Sequence, residues 1–414
     1  MIELRDYQEK IASTASDLIH KHGFAYLAMQ VRTGKTLTAL ATVKLCDKKS
    51  VLFVTKKKAI DSIVDDYMKF DCKFAMDITN YESVHKFAVH NYDLVILDEA
   101  HSMGAFPKPS GRTTAVKNIL FKNNYPDVIF LSGTPSPESY SQLYHQFWVL
   151  GGKSPFATYS NFYKWSKDFV NVTQRKIGAM MVNDYSDAKR QKIESITNSY
   201  MISWTQDEAG FKSHIDEEIL IAKAPLVVTD IAKRLKRDAV VEGKEEVVLA
   251  DTGAKMMQKL HQIYSGTVKF ESGNSMVISP FKAEFIKEKF KDNKIGIFYK
   301  FVEELNALKQ IFGDRLTTEL KKFDNEGYQV IALQIVSGRE GISLRNAEYL
   351  IFYNIDFSAT SYWQARDRMT TKDRGYNKVY WVFSDCGIEK DIYKVVNNKK
   401  NYTLSHFKKD LLSL

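Results

Sequence analysis

Short runs of β-branched and aliphatic residues recur along the chain, and each run is about as long as a β-strand. Several runs are apolar without interruption, which is typical of strands buried on both faces of a parallel sheet. Stretches with the spacing of amphipathic helices lie between them. The predicted strands are 25–29, 51–55, 94–97, 128–131, 295–298, 330–335, 349–353 and 379–383. The predicted helices are 37–45, 60–70, 114–121 and 302–311.

This alternation of strands and helices predicts an α/β fold, in which ligands bind at the carboxyl ends of the strands. The strands form two groups, separated by residues 155–293, which are richer in charge and in helix-forming residues. We therefore predict two lobes. The first covers residues 1–210, with a helical elaboration from about residue 155, and residues 211–414 hold a linker and the second lobe.

Composition narrows the class of protein. The 414 residues are 44% hydrophobic and 26% charged, which excludes a disordered chain. The net charge of +9 weakly favours a polyanionic partner such as nucleic acid. Cys46, Cys72 and Cys386 are scattered, so neither a disulfide framework nor a zinc site is indicated. No apolar run reaches the roughly 18 residues that a membrane span needs, and we expect a soluble protein of a reducing compartment.

The segment RTGKT, residues 32–36, follows a predicted strand and precedes a predicted helix. In that context Gly34 lets backbone N–H groups wrap phosphates, Lys35 neutralises the β and γ oxygens, and the Thr36 hydroxyl holds Mg²⁺. The full phosphate-loop pattern is not met, because its first glycine falls on Met29. A plain loop that leads into a helix is the alternative interpretation of this segment.

The segment DEAH, residues 98–101, comes directly after an apolar predicted strand. Asp98 at such a strand end can bind Mg²⁺, while Glu99 orients or deprotonates an attacking water. An acidic strand cap is the alternative, but the GKT loop upstream favours a nucleotide hydrolysis site. A third strand end, LSGTP at residues 131–135, supplies Ser132 and Thr134, whose hydroxyls suit hydrogen bonds to the carboxylates.

Taken in order, LRDYQ, RTGKT, DEAH and SGTP resemble the motifs of superfamily-two helicases and translocases. Residues 336–344, VSGREGISL, are similar to motif V of that superfamily, and residues 362–368, YWQARDR, to motif VI. TNYESV at 79–84, KLHQIYSG at 259–266 and CGIEKDIYKVV at 386–396 are similar to its Swi/Snf-like branch, including compact phage and bacterial members. This resemblance implies two RecA-like lobes, each a mainly parallel sheet flanked by helices.

The resemblance also implies roles for residues in both halves of the chain. The implied catalytic residues are Lys35, Asp98, Glu99, Gln364 and Arg368, the last as an arginine finger. The implied nucleotide-binding residues are Arg5, Gln8, Thr33, Gly34, Lys35, Thr36, Glu340 and Gly341, with Gln8 reading the adenine and Thr36 and Asp98 holding Mg²⁺. His101, Ser132 and Thr134 would couple the nucleotide state to nucleic-acid contacts. Those contacts would be made by Thr55, Lys56, Thr79, Asn80, Tyr81 and Ser337.

The implied function is an ATP- and Mg²⁺-dependent motor that moves along or remodels DNA. Double-stranded or branched DNA is the preferred partner and single-stranded DNA a further one. We expect a monomer in the bacterial cytoplasm, of bacterial or phage origin.

Motif VI departs from the pattern QxxxRxxR, because Thr371 stands at the second arginine position unless Arg366, Lys372 or Arg374 replaces it. An ATP-binding, DNA-bound switch with little hydrolysis therefore stays an alternative, as does an RNA helicase. A phosphate-loop kinase is disfavoured, since it leaves the motifs of the second half unexplained.

Overall fold

The computed structural model describes residues 3–87, 90–177, 180–210, 214–243, 245–335, 344–366, 368 and 375–397. The chain divides into two compact units, Met1–Gly210 and Phe211–Leu414. Each unit is built around a six-stranded sheet in which neighbouring strands run parallel. Among the described helices, none is long and apolar enough to cross a membrane.

The first unit has a sheet of strand order β3-β2-β4-β5-β1-β8 and a separate antiparallel hairpin, β6-β7. Its strands are β1 Phe24–Met29, β2 Ser50–Thr55, β3 Ala75–Asn80, β4 Leu94–Asp98, β5 Asp127–Leu131, β6 Thr173–Ile177, β7 Met180–Asp184 and β8 Met201–Trp204. Its helices are α1 Asp6–His22, α2 Lys35–Leu45, α3 Ile60–Lys69, α4 Gly111–Lys122, α5 Gln142–Trp148, α6 Phe162–Phe169 and α7 Arg190–Thr197.

Both faces of the first sheet are buried, and β1 shows how. Ala25 and Leu27 pack with the apolar side chains of α1 and α2. Phe24 and Tyr26 point to the opposite face, where they join an aromatic cluster that includes Phe147. A strand covered on both faces needs apolar residues at every position, which is why this run shows no polar alternation.

The second unit has a sheet of strand order β15-β16-β14-β17-β18-β9 and two short hairpins, β10-β11 and β12-β13. Its strands are β9 His214–Ala222, β10 Val240–Glu242, β11 Val247–Leu249, β12 Thr267–Lys269, β13 Ser275–Val277, β14 Ile295–Tyr299, β15 Leu316–Thr317, β16 Val330–Gln334, β17 Tyr349–Phe352 and β18 Tyr376–Ser384. Its helices are α8 Leu226–Asp238, α9 Gly253–Tyr264, α10 Phe281–Lys289, α11 Val302–Phe312, α12 Leu320–Asn325, α13 Ala359–Arg366 and α14 Glu389–Asn397.

The predicted fold class is confirmed: two mainly parallel sheets are flanked by helices. All eight predicted strands and all four predicted helices are present, with ends displaced by a few residues at most. The middle of the chain contains helices, but it also contributes strands that were not predicted. The strands β8 and β9 each complete one of the two large sheets at an edge.

The strand β9 was missed because its sequence, HIDEEILIA, is charged. It pairs with β18 along nine positions at the edge of the sheet, where charged side chains are tolerated. Glu217 is satisfied within the unit: its carboxylate accepts hydrogen bonds from Arg366 Nη1 at 2.6 Å, Tyr362 OH at 2.8 Å and Trp381 Nε1 at 2.9 Å. A carboxylate that looks like a surface residue in the sequence is therefore part of the packing of the second unit.

A buried ion pair joins α10 to α14 in the second unit. Lys282 Nζ lies 2.8 Å from Glu389 Oε1, and both side chains are fully buried. We expect Lys282→Met to lower the free energy of unfolding by about 3–5 kcal/mol, because it leaves a buried carboxylate without its cation. The double variant Lys282→Met/Glu389→Leu should recover most of that loss. Urea denaturation of the three proteins measures both effects, and equal losses in the single and double variants would contradict this account.

Candidate nucleotide site

The loop between β1 and α2 ends in a left-handed backbone conformation, which favours glycine. Gly34 stands just before the first residue of α2 with φ of 83°, in the left-handed region. A Cβ at this position would lie 2.0 Å from Gln8 Nε2, so a side chain here would have to displace the Gln8 amide from the loop. The eleven-residue helix α2 then presents its unsatisfied N–H groups at the loop, which is the usual geometry of a phosphate cradle.

Gly34→Ala is expected to weaken ATP binding at least tenfold. The substitution forces alanine into a left-handed conformation, which costs about 1–2 kcal/mol, and drives Cβ into Gln8. Gly111→Ala is the matched control, because Gly111 is the first residue of α4 and a Cβ there meets nothing within 4 Å. Titration with a slowly hydrolysed ATP analogue compares the two variants. If Gly34→Ala binds as tightly as the control, the loop is not the phosphate cradle.

The LRDYQ segment packs directly on this loop. Tyr7 OH donates to the carbonyl of Thr33 at 2.9 Å, and Arg5 Nη1 donates to Tyr7 OH at 3.0 Å. The Gln8 side chain is buried, and its Nε2 donates to the carbonyls of Thr33 and Gly34 at 3.4 and 3.3 Å. The structure thus brings Arg5, Gln8, Thr33 and Gly34 together. The adenine contact of Gln8 stays a prediction, and in this structure its amide holds the loop between β1 and α2.

Two carboxylates stand at the end of β4, where DEAH begins. Thr55 Oγ1 donates to Asp98 Oδ2 at 2.7 Å and so fixes that carboxylate. Burial, together with the nearby charge of Glu99, raises the pKa of Asp98 to about 6. Glu99 has φ of 50°, a left-handed conformation that is uncommon for a residue with a side chain and that clusters at functional sites.

The raised pKa of Asp98 predicts a pH dependence of Mg²⁺–ATP binding. In the free protein this carboxyl gains a proton as the pH falls through about 6, and the neutral form is a poor ligand for a cation. Affinity for Mg²⁺–ATP should therefore rise between pH 5 and pH 7 and level off above that range. Asp98→Asn should lose this step. Calorimetric titrations over the pH range measure it, and an equal pH step in both proteins would assign it to another group.

His101, Ser132 and Thr134 form a hydrogen-bonded group beside Glu99. His101 Nδ1 lies 3.0 Å from Ser132 Oγ and 3.3 Å from Glu99 Oε2. The backbone N–H of Thr134 donates to Ser132 Oγ at 3.1 Å, while Thr134 Oγ1 is shielded from solvent and has no hydrogen-bond partner among the residues that the structure describes. The DEAH and SGTP segments are thus in contact, which is the arrangement that a coupling role requires.

The predicted nucleic-acid residues of the first unit differ in their exposure to solvent. Thr55, Thr79 and Tyr81 are buried, and Tyr81 OH donates to the carbonyl of Asp98 at 2.6 Å. Thr55 and Tyr81 support the end of β4, and all three side chains present little surface in this structure. Their role in nucleic-acid binding stays a prediction. Lys56 and Asn80 are partly exposed and keep that predicted role.

Gln364 belongs to helix α13 of the second unit. Arg368 is buried, and its backbone carbonyl accepts a hydrogen bond from the N–H of Leu344 at 2.9 Å. Arg366 Nη1 donates to Glu217 Oε1 at 2.6 Å, and its role in place of the arginine missing at residue 371 stays a prediction. Ser337, Glu340 and Gly341 lie in 336–343, outside the described residues, and Thr371, Lys372 and Arg374 in 369–374 likewise. Their roles stay predictions.

Sequence reasoning missed two residues that touch the loop between β1 and α2. Trp204, at the end of β8, stacks on Tyr7 with ring centroids 5.4 Å apart and planes 11° apart. Gln206 Nε2 donates to the carbonyl of Val31 at 2.9 Å. Both residues are more than 170 positions from the loop in the chain, and no motif in the sequence signals the contact.

Comparison with known proteins adds similarity at the N-terminus. The sequence model of the family described as "Type III restriction enzyme, res subunit" matches residues 1–81, which hold the LRDYQ and RTGKT segments. The comparison with curated proteins gave no match.

Two solved structures from Sulfolobus solfataricus are similar over most of the chain. The SWI2/SNF2 ATPase core in complex with dsDNA is 16% identical, with a TM-score of 0.42, over 100% of this chain and 93% of that chain. The SWI2/SNF2 ATPase core domain is 15% identical, with a TM-score of 0.43, over 96% of this chain and 89% of that chain.

The residues at the loop and at the end of β4 fit Mg²⁺ bound together with a nucleotide. Within the described part of the chain, no three His, Cys, Asp or Glu side chains gather as a metal cluster. Mg²⁺ does not need such a cluster, since it is usually held by one or two carboxylates together with substrate phosphates and waters. Asp98 and the Thr36 hydroxyl supply oxygen ligands of the kind that Mg²⁺ prefers.

Proposed function

We propose that the protein is an ATP-dependent motor that hydrolyses ATP to move along or remodel DNA. One observation carries the proposal. The GKT loop follows β1 and the DEAH carboxylates follow β4, and both strands belong to one parallel sheet with only β5 between them. Parallel strands end at the same edge of a sheet, so cradle and carboxylates face one ligand site.

Each candidate side chain of the first unit has a separate proposed role in ATP hydrolysis. Lys35 would neutralise phosphate charge, and Asp98, held by Thr55, would hold Mg²⁺ together with Thr36. Bound Mg²⁺ would supply charge stabilisation at the phosphate oxygens. Glu99 accepts the proton of the attacking water, and His101, 3.3 Å away, orients that carboxylate.

Residues of the second unit complete the predicted catalytic set. Arg368 is proposed as the arginine finger, which supplies positive charge as the γ-phosphoryl group is transferred, and Gln364 as its neighbour in motif VI. Glu340 and Gly341 are proposed as nucleotide contacts and Ser337 as a nucleic-acid contact. Arg368→Ala, at saturating ATP, would lower turnover while leaving the affinity of the first unit for ATP unchanged.

DNA is proposed as the track, with double-stranded or branched DNA preferred. The net charge of +9 and the resemblance to Swi/Snf-like motifs support this choice. Lys56, Asn80 and Ser337 would bind backbone phosphates, which give affinity and salt dependence without reading sequence. Binding to DNA should therefore weaken steeply as salt is raised.

A second candidate is a DNA-bound switch that binds ATP and hydrolyses it slowly. Thr371 at the second arginine position of motif VI favours it, as does the pairing of Arg366 with Glu217. The switch would bind ATP and DNA with the same side chains but would do no work on DNA.

ATP-driven displacement of the third strand of a triplex on linear double-stranded DNA tests the proposed motor. Movement along the duplex strips the third strand, whereas a switch leaves it in place. A forked duplex tested in parallel shows whether the two strands are also separated. No displacement with ATP, despite measured binding of both ATP and DNA, would favour the switch and overturn the motor.

A further inference from the structure

The last residues of the first unit are hydrogen-bonded to the phosphate loop. Gln206 N–H donates to Gln30 Oε1 at 2.8 Å, and Gln206 Nε2 donates to the carbonyl of Val31 at 2.9 Å. The backbone N–H of Gln30 in turn donates to the carbonyl of Trp204 at 2.9 Å. Three hydrogen bonds therefore tie residues 30–31 of the loop to residues 204–206, and Gln206 lies four residues before Gly210, where the first unit ends.

The segment that follows β8 is itself held in one conformation. Thr205 N–H and Oγ1 donate to Glu208 Oε2 at 2.7 and 2.8 Å, and Glu208 N–H donates back to Thr205 Oγ1 at 3.2 Å. The N–H of Ala209 donates to the carbonyl of Thr205 at 3.1 Å. This capped turn fixes the backbone of Gln206, so its amide is directed at Val31 at small entropic cost.

The same segment also reaches the other end of the loop, through an aromatic stack. Trp204 stacks on Tyr7, and Tyr7 OH donates to the carbonyl of Thr33 at 2.9 Å. The loop is thus held at residues 30–31 by Gln206 and at residue 33 by Tyr7. Both supports depend on residues 204–206.

The backbone of this loop is strained, so contacts are required to hold it in one conformation. Arg32 lies between the two held positions with φ of 66°, a left-handed conformation that costs a residue with a Cβ about 1–2 kcal/mol. Bonds to the flanking residues offset that cost and keep the loop in the shape of a cradle. Without them the loop would relax, and part of the free energy of nucleotide binding would be spent on restoring its shape.

We propose that the segment Trp204–Gly210 belongs to the nucleotide site. Gln206 is a positioning residue of the phosphate loop, and the Trp204–Tyr7 stack changes when nucleotide binds to that loop. The inference rests on the proposed function, since it takes ATP as the ligand of the loop. Coupling of this kind is reciprocal, so bound nucleotide also stabilises the turn that ends the first unit. The stability of residues 204–210, the last segment of the first unit, therefore depends on whether nucleotide is bound.

Steady-state kinetics on the full chain test the role of Gln206. Gln206→Ala should raise the KM for ATP about tenfold and leave kcat within about twofold, because saturating nucleotide restores the cradle. Gln174→Ala is the matched control, since Gln174 is an exposed glutamine of the same unit whose Nε2 donates to Asn183 Oδ1 at 3.2 Å. Direct binding of a slowly hydrolysed ATP analogue should show the same tenfold loss in Gln206→Ala alone. Equal affinities in the two variants would overturn the inference and leave the proposed function standing.

Tryptophan fluorescence tests the response of the stack without relying on Gln206→Ala being well folded. The parent protein should show a change in emission when the ATP analogue and Mg²⁺ bind, and Trp204→Phe, which keeps an aromatic stack, should lack that change while binding nucleotide. An unchanged response in Trp204→Phe would overturn the role of the stack. A parent protein that binds no ATP at all would refute the proposed function itself, and with it this inference.

Discussion

Lys35→Ala is expected to lower ATP turnover by about 10²–10³-fold, which is the scale of removing one charged group that stabilises the transferred phosphoryl group. Lys35 is the first residue of α2, directly after the left-handed Gly34. Its Nζ lies 3.4 Å from the carbonyl of Gln30, a weak contact that leaves the ammonium group able to swing toward phosphate oxygens. Phosphate release by the purified variant, with and without DNA, measures the loss.

Lys44→Ala is the matched control for this prediction. Lys44 lies in the last turn of the same helix, where its exposed side chain makes a long contact of 3.6 Å with Asp71. Surface pairs of this kind contribute little, so the control should turn over ATP at the parental rate. If Lys35→Ala matched the control, the GKT loop would be an ordinary helix start.

Glu99→Gln is expected to lower hydrolysis by about 10²–10⁴-fold, the usual contribution of a general base. The amide has the size of the carboxylate but cannot accept the proton of the attacking water. ATP binding should survive, because the Asp98–Thr55 hydrogen bond at 2.7 Å and the Gly34 cradle are untouched. The variant should therefore accumulate with ATP and DNA bound, which rapid filtration with labelled ATP detects under single-turnover conditions.

Glu82→Gln separates this effect from a general effect of removing an acidic residue. Glu82 is exposed and pairs with Arg112 at 2.6 Å in the same unit. Its replacement should leave hydrolysis unchanged. Hydrolysis by Glu99→Gln at the parental rate would show that another group deprotonates the water.

The sequence was enough to predict the α/β class and the strands that are buried on both faces. Runs such as residues 94–97 have no polar alternation, and that pattern depends only on burial. Edge strands do not obey this rule. β9 has the sequence HIDEEILIA and was assigned to the helix-rich middle, because its charged side chains are satisfied by contacts that the sequence does not show.

The candidate site was predictable where its residues are close in the chain and follow strands. The GKT and DEAH segments are of this kind, and their spacing indicates their chemistry without a structure. Contacts between distant segments were not predictable. Gln206 and Trp204 reach the phosphate loop across more than 170 residues, and Tyr81 turned out to be a buried support of Asp98.

The central claim, an ATP hydrolysis site whose activity is driven by DNA, is tested most directly by steady-state phosphate release in the presence of different polymers. Parent and Lys35→Ala proteins would each be measured alone and with single-stranded DNA, double-stranded DNA, a branched junction and RNA. We predict hydrolysis by the parent that double-stranded or branched DNA stimulates and that Lys35→Ala lowers by about 10²–10³-fold. Hydrolysis that no polymer stimulates, or that Lys35→Ala retains, would contradict the account.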